Sequence, residues 1–445
     1  MSELPKGWST VSIADIGEVV TGNTPPTKQR EIFYGGNIPF VKPPDLDAGE
    51  FLDSANETLS DEGSLKSRLL PANSILVNCI GNIGKVAFSR VACCTNQQIN
   101  SIVPNTRLVE PKFVYWFIRS PIFQDRLQSN SSATTVSIIN KGRFSALEIP
   151  LAPLNEQRRI VAKLDRLFAR SRCAREELGR VSGLVQRYKQ AVLAAAFRGD
   201  LTADWRKENK TANWQEGKLS EIGYLGRGKS KHRPRNHPKL YGGDYPFIQT
   251  GDIAQSDGII KTHSKTYSDF GLSQSKLWNA GTVCITIAAN IANTAILSYP
   301  ACFPDSVVGF VCDKEKCLPQ FIKWSIDLMR ADLESFAPAT AQKNINLSIL
   351  SNIKLNLPSL EEQKEIVKRV EKLFKVIDII EQEHQKASKL LDRLEKATLS
   401  KAFRGELVPQ DPNDEPAAVL LERIQAQRQT QPKRKAKSTR KPKAN

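Results

Sequence analysis

Residues Gly223 to Ser230 read GYLGRGKS, which fits the phosphate-loop spacing of Gly, four residues, Gly, Lys and Ser. In that chemistry backbone amides and the lysine cradle nucleotide phosphates, but only where a buried strand enters the loop and a helix leaves it. The residues that follow are KHRPRNHPKLYGG, and Pro234 and Pro238 forbid a continuous helix. The first half of the chain carries GEVVTGNT, Gly17 to Thr24, in the same slot, with both glycines kept and the lysine lost. The shared role expected of the slot is a turn, with Lys229 an addition of the second copy. What the segment does supply is cations without acids: Arg227, Lys229, Lys231, Arg233, Arg235 and Lys239. Six positive groups on a proline-rich loop suit an arm that touches phosphates. An exposed solvated loop is the alternative. Lys28 and Arg30 are the weaker counterpart in the first half.

Polar residues that interrupt strand-like runs supply a second set of candidates. FVKPPDL and FIQTGDI put Lys42 and Gln249 at matching positions, and IGNIGK and AANIAN do the same with Asn82 and Asn290, then Lys85 and Asn293. CTNQQIN adds Asn96, Gln97 and Gln98; Thr24, Thr134, Thr135, Gln342 and Lys343 complete the set. Asn and Gln can make paired hydrogen bonds to adenine and Arg or Lys to guanine, while the remaining cations hold phosphate. Asn and Gln in turns also commonly satisfy only their own backbone.

Catalytic arrangements are not found. An adenine methyltransferase needs Asn or Asp, two prolines and an aromatic residue; KPPD at Lys42 is wrong at both ends. The acids lie mostly along helical stretches, where a charged outer face explains them. Eight cysteines without a Cys-x-x-Cys, and only four histidines, argue against a metal site and for reduced or buried thiols. No run of about eighteen apolar residues could cross a bilayer, and MSELPKGWST has no export signal, so a cytoplasmic protein is expected.

The elements that would position these side chains come in two copies. Trp8 recurs as Trp214, Gly17 as Gly223, YGGNIPF at Tyr34 as YGGDYPF at Tyr241, and Phe113 and Trp116 as Phe321 and Trp324. NEQRRIVAKLDRLF from Asn155 recurs as EEQKEIVKRVEKLF from Glu361, and AFRGDL at Ala196 as AFRGEL at Ala402. Each copy opens with short strands and turns, as in NSILVNCIGNIGKVAFS and GTVCITIAANIANTAILS, broken by helices such as PKFVYWFIRS. It closes with a long helix. A seam of period 3.5 runs from Ile160 through Leu164, Leu167, Ser171, Ala174, Leu178, Val181, Val185, Tyr188 and Val192 to Ala195, and again from Ile366 through Val370, Leu373, Ile377, Ile380, His384, Ala387, Leu391, Leu394 and Thr398 to Lys401. That period belongs to helices that wind about each other. SLEE at Ser359 reads as a capping box, and Gly199 and Gly405 sit where left-handed caps end helices.

The expected organisation is α+β: a mixed α/β domain at 1–152, a coiled-coil helix at 153–200, a second mixed domain at 201–357, a second helix at 358–407, and a short helix with a basic tail at 408–445. The first helix leads from one domain into the next and the second leaves that next domain; if the two pair with each other they must run antiparallel, which relates the halves by a pseudo-two-fold axis. About 44 residues make a strut of roughly 66 Å, or at most about twenty base pairs of duplex. The formal charge of +17 includes seven cations in the tail KRKAKSTRKPK, so about +10 stays on the body. A basic body points to nucleic acid.

These features together, the alternation of two domains with two long helices, the Asn-Glu-Gln and Glu-Glu-Gln helix openings and the repeated Ala-Phe-Arg-Gly ends, resemble the specificity subunit of type I restriction-modification enzymes. The resemblance covers nearly the whole chain except the basic tail. It implies a non-catalytic subunit with two target recognition domains that binds a bipartite, asymmetric DNA target. It also implies two methyltransferase subunits, which bind S-adenosylmethionine and methylate adenine, and two restriction subunits, which use ATP and Mg to translocate and cut DNA. A coiled-coil scaffold that binds nucleic acid without sequence preference is the rival reading.

Overall fold

The computed structural model describes residues 4–47, 49–132, 136–211, 213–288, 291–330, 333 and 345–430. The chain divides into two compact units, 1–177 with 386–445, and 178–385. Each unit holds one mixed domain, or head, and a stretch of both long helices.

In the first unit a five-stranded sheet has the order Gly17–Thr21, Ile99–Pro104, Ile75–Asn78, Val86–Ser89, Phe51–Leu52. A three-stranded sheet follows the order Glu57–Leu59, Tyr34–Val41, Cys94–Thr95, and Ser9–Ser12 pairs with Glu148–Leu151. The second unit repeats this plan: Gly223–Arg227, Val307–Cys312, Val283–Thr286, Thr294–Leu297, Ile259–Ile260 in five strands, and Lys265–Tyr267, Tyr241–Phe247, Ala301–Cys302, Leu277–Trp278 in four. The added Leu277–Trp278 strand stands where the first head has only an isolated bridge between Leu70 and Cys93. The central strands Ile75–Asn78 and Val283–Thr286 are buried on both faces, as their mostly apolar sequences ILVN and VCIT allow.

The slot shared by GEVVTGNT and GYLGRGKS is an edge strand of the large sheet, not the turn expected from its glycines. Gly17 pairs with Pro104 and Gly223 with Cys312. A Cβ on Gly17 would come to 2.5 Å from the Val103 oxygen, and one on Gly223 to 2.5 Å from the Val311 oxygen. Gly22 and Gly228 meet the carbonyls of Asn96 and Pro304 in the same way. These glycines permit close backbone approach. After Arg227 the chain runs irregularly to a short 3-10 turn at Pro238–Leu240, so no helix follows GYLGRGKS.

The long helices span Leu154–Phe197 and Leu360–Ala402. They pair antiparallel. In the first unit Ser171 donates to Glu395, and Arg175, one turn further on, reaches back to Asp392 at 2.6 Å as well as to Glu395 at 2.9 Å. In the second unit Lys189 meets Glu381 at 3.2 Å. Gly199 and Gly405, at φ +80 and +74, take the left-handed conformation expected of helix ends. The seam is only partly buried. Ile160, Leu164, Val185, Ile366, Val370 and Ile377 are inside, but Tyr188, Ile380 and Leu394 are about half exposed and Lys401 is exposed. Two helices alone enclose only one side of a seam residue, so burial along the seam is uneven.

Phenylalanine explains the repeated Ala-Phe-Arg-Gly motif. In the first unit Phe403 packs edge-on against Phe113 and Phe117, with ring centroids 5.3 and 5.0 Å away, while Trp116 lies 4.3 Å from Phe168. In the second, Phe197 packs 4.9 Å from Phe321, and Trp324 sits 5.8 Å from Phe374. Each head thus grips the start of one long helix and the end of the other, with contacts worth about 0.5–1.5 kcal/mol each beyond area burial.

Candidate nucleic-acid interface

The helix openings that mark the repeat are fasteners. In the first unit Trp8 Nε1 donates to Glu156 Oε2 at 3.0 Å, and Gln157 accepts the Glu110 amide at 2.9 Å while donating to the Ala152 carbonyl at 2.8 Å. In the second, Trp214 Nε1 donates to Glu362 Oε2 at 3.0 Å, and Gln363 accepts the Leu318 amide at 3.0 Å while donating to the Lys316 carbonyl at 2.8 Å. All four of these Glu and Gln side chains are buried. Of the capping box expected at SLEE only half forms: the Ser359 hydroxyl accepts the Glu362 amide at 3.3 Å. The Glu362 carboxylate is engaged elsewhere, with Trp214, Thr202 at 2.7 Å and Arg206 at 2.6 Å. Glu156 has no such company: its Oε1 is buried without a partner, and burial holds its carboxyl above the usual range against the opposing Trp8 bond.

With the frames fastened alike, the heads differ in what their loops present. The amides of Lys42 and Gln249 donate to Asp45 and Asp252 at 2.7 and 2.8 Å, so one backbone turn carries a cation in one head and an amide in the other. In the first head Lys42 and Arg30 converge on Glu57 at 2.9 and 3.5 Å. The Lys42 hydrogen bond is the main reason the Glu57 carboxyl lies below its ordinary range. Lys85 pairs with Asp47, and Lys28 stands exposed on the short turn Thr27–Gln29. Thr24 donates to Gln97 Oε1 at 2.7 Å on the surface. Asn96 is buried and joins its amide to the Gln98 side chain at 3.0 Å, which commits it to its own turn. The Asn82 side chain is exposed on a loop whose backbone Asn78 holds at 2.7 Å.

In the second head Arg227, Lys229, Lys231, Arg233, Arg235 and Lys239 are all exposed along one arm. Arg233 donates to the carbonyls of Ser230 and His232, and Arg235 pairs with Asp305. Asn293 is half-buried and its amide donates to Thr286 at 3.0 Å. Thr134, Thr135, Asn290, Gln342 and Lys343 lie outside the described residues.

Two features are not visible in the sequence. Lys276 stands 3.8 Å over Trp278 and 4.6 Å over the exposed Tyr224, a cation joined to a flat apolar face of the kind that accepts nucleic-acid backbone or bases. No local pattern joins 224 to 276. Glu50, mostly buried and held by Arg172, lines a cleft of about 450 Å³ in the first head with Asp47, Lys85, Tyr115, Arg119 and Gln124. Its carboxyl is raised by burial, with Arg119 and Arg172 opposing. The cysteines among the described residues are free, and burial pushes Cys79 up to about 12 and Cys93 to about 11, as suits packing thiols. Among the described residues no three His, Cys, Asp or Glu side chains gather as a metal site, and no helix is long and apolar enough to cross a membrane.

The family model described as the type I restriction modification DNA specificity domain matches residues 5–178 and 211–389. The chain is 25% identical to the type I restriction enzyme StySPI specificity subunit of Salmonella potsdam, over 96% of each chain. It is also 25% identical to the EcoKI specificity subunit of Escherichia coli strain K12, again over 96% of each. Its fold is similar to that of a chain from structural work on complex assembly and conformational transition of the type I R-M system, with a TM-score of 0.74 and 21% identity over 92% of this chain and 100% of that one.

Proposed function

The chain belongs to the type I restriction modification DNA specificity family, and from that premise we propose that its two heads each read one half of a bipartite, asymmetric DNA target on behalf of partner subunits. The observation that carries this reading is the repetition of one frame with different side chains at matched slots: Lys42 against Gln249, and Thr24 with Gln97 against an arm of six cations. Equal frames give each head an equivalent approach to its half-site, and unequal side chains make the two words differ.

The long helices fix the unread gap between the words. Their exposed apolar residues, Leu184, Tyr188, Val376, Ile379 and Ile380 in one unit and Leu390 and Leu394 in the other, form faces where partner helices can pack. No catalytic step falls to this chain. S-adenosylmethionine and adenine methylation belong to two methyltransferase subunits, and ATP and Mg to two restriction subunits. Phosphate contacts fall to the cations, chiefly Lys28, Lys229, Lys231 and Lys239, and base contacts to the amides and to loop cations beside them.

Methylome sequencing of a host with and without the gene tests this function. The expected result is a methylated adenine motif of two short words separated by a fixed gap, present only with the gene. Replacing residues 201–357 by the corresponding segment of another specificity subunit changes one word and leaves the other. A motif unaffected by the gene, or two words altered together, overturns it, and in vitro protection without sequence preference favours the scaffold.

A further inference from the structure

The arm of the second head, residues 227–240, is tied down through its backbone. Ser275 donates to the Lys229 carbonyl at 2.9 Å, the Lys231 amide to the Gln274 carbonyl at 3.2 Å, Tyr241 to the Arg235 carbonyl at 2.7 Å and Ser268 to the Lys239 carbonyl at 2.6 Å. Among the described residues no carboxylate pairs with Lys229, Lys231 or Lys239. Arg235 is different. Its Nη2 lies 2.9 and 2.8 Å from the two carboxylate oxygens of Asp305, whose backbone carbonyl also accepts Arg227 Nε.

Asp305 stands at the position Gln97 occupies in the first head. Each follows the matched cysteine, Cys302 or Cys94, that pairs in parallel with Phe247 or Phe40. At this slot the first head holds an amide fixed by the Thr24 hydroxyl, and the second a guanidinium fixed by a carboxylate. A cation whose task is to neutralise phosphate gains nothing from such a neighbour, because the pair cancels its charge. A guanidinium that reads a base does gain. Its plane is set, Nη2 is occupied, and Nη1 and Nε, on different edges of the group, each keep an N–H whose direction is fixed before DNA arrives.

We propose that Arg235 is the base-reading cation of the second head, that Asp305 positions it, and that its target is a guanine, whose N7 or O6 accepts an N–H that Asp305 leaves open. The other arm lysines hold phosphate. This rests on the proposed function, in which the arm faces DNA.

The test uses the full chain assembled with its methyltransferase partners. Binding to duplexes substituted base by base is measured across a salt series, with in-cell methylomes alongside, for Arg235→Ala, Arg235→Lys, Asp305→Asn and Lys231→Ala. Arg235→Ala is expected to lose roughly 10-fold of discrimination at one guanine of the second word, the worth of one hydrogen bond from a charged donor, with the first word unchanged. Arg235→Lys keeps the charge and loses the fork, so it relaxes the same position while retaining affinity for phosphate. Asp305→Asn relaxes that position too, although it removes a negative charge. Lys231→Ala weakens all sequences alike and lowers the salt slope by about one. If Arg235→Ala behaves as Lys231→Ala does, or Asp305→Asn only tightens binding, the proposal fails while the DNA-facing arm stands. If none of the four alters binding, the placement of the arm on DNA fails as well.

Discussion

The same substitution made at two matched positions should give opposite results. Glu156 and Glu362 occupy equivalent sites, both buried, both accepting a tryptophan N–H at 3.0 Å. Glu362 also accepts Thr202 and Arg206 on its other oxygen. In Glu362→Gln the new amide group must face either the Trp214 N–H or the Arg206 donor, so a donor confronts a donor in either orientation. Losing hydrogen bonds to a charged acceptor costs about 1.5–3 kcal/mol, which is roughly a 10- to 160-fold rise in local opening. In Glu156→Gln the amide oxygen still serves Trp8, and the amide nitrogen replaces an oxygen that has no partner. A buried charge disappears with it, so the expected change is neutral or stabilising. Hydrogen exchange reads both sites with matched reporters, the Glu110 amide on Gln157 and the Leu318 amide on Gln363. Protection should fall at Leu318 in Glu362→Gln and hold or rise at Glu110 in Glu156→Gln. Equal losses at both sites would refute the assignment of a full partner set to one carboxylate only.

The Glu156 carboxyl lies above the usual range because of burial, so its contribution to stability is complete below the unfolded pKa and is lost as pH rises through the folded value. As pH rises above the ordinary glutamate range, urea midpoints should therefore fall less steeply in Glu156→Gln than in the parent; Glu50, shifted the same way, keeps part of the slope. Gly17→Ala and Gly223→Ala place a methyl against a partner-strand carbonyl at 2.5 Å and should cost about 1–3 kcal/mol, measured by thermal unfolding; a change below the error of the scan would sink the close-approach argument. Arg175→Ala removes a 40% exposed partner of Asp392 and Glu395 and should cost no more than about 1 kcal/mol, shrinking in high salt. Lengthening both long helices by one turn, about 5.4 Å, should widen the unread gap by roughly one to two base pairs and leave both methylated words intact, as bisulfite-free methylome sequencing would show.

Much of this architecture is legible in the sequence because it is written twice. Pro234 and Pro238 suffice to reject a nucleotide loop after GYLGRGKS, and the chain indeed leaves Arg227 without forming a helix. The strand pairs in NSILVNCIGNIGKVAFS and GTVCITIAANIANTAILS emerge as the antiparallel hairpins at Ile75–Asn78 with Val86–Ser89 and Val283–Thr286 with Thr294–Leu297. What depends on contacts distant in sequence is harder to read. The glycines of the shared slot look like turn formers until the neighbouring strand is seen to leave no room for a Cβ. Trp8 and Glu156 recur together as Trp214 and Glu362, yet a common recurrence does not say that the two side chains touch. The half-exposure of Tyr188, Ile380 and Leu394 follows from the number of helices in the bundle, which a periodicity cannot count. Arg235 and Asp305 lie seventy positions apart, and only the arm's cations were visible locally.

The atoms that fasten each head to its helix, from Trp8, Glu156 and Gln157 or Trp214, Glu362 and Gln363, are held in the frame. The atoms we propose to meet DNA belong mainly to loops. Substitution in one set therefore carries no penalty into the other, and the two can drift at separate rates under selection. A lineage can acquire a new recognition word by altering a few loop side chains while the lock that seats the head stays as it was.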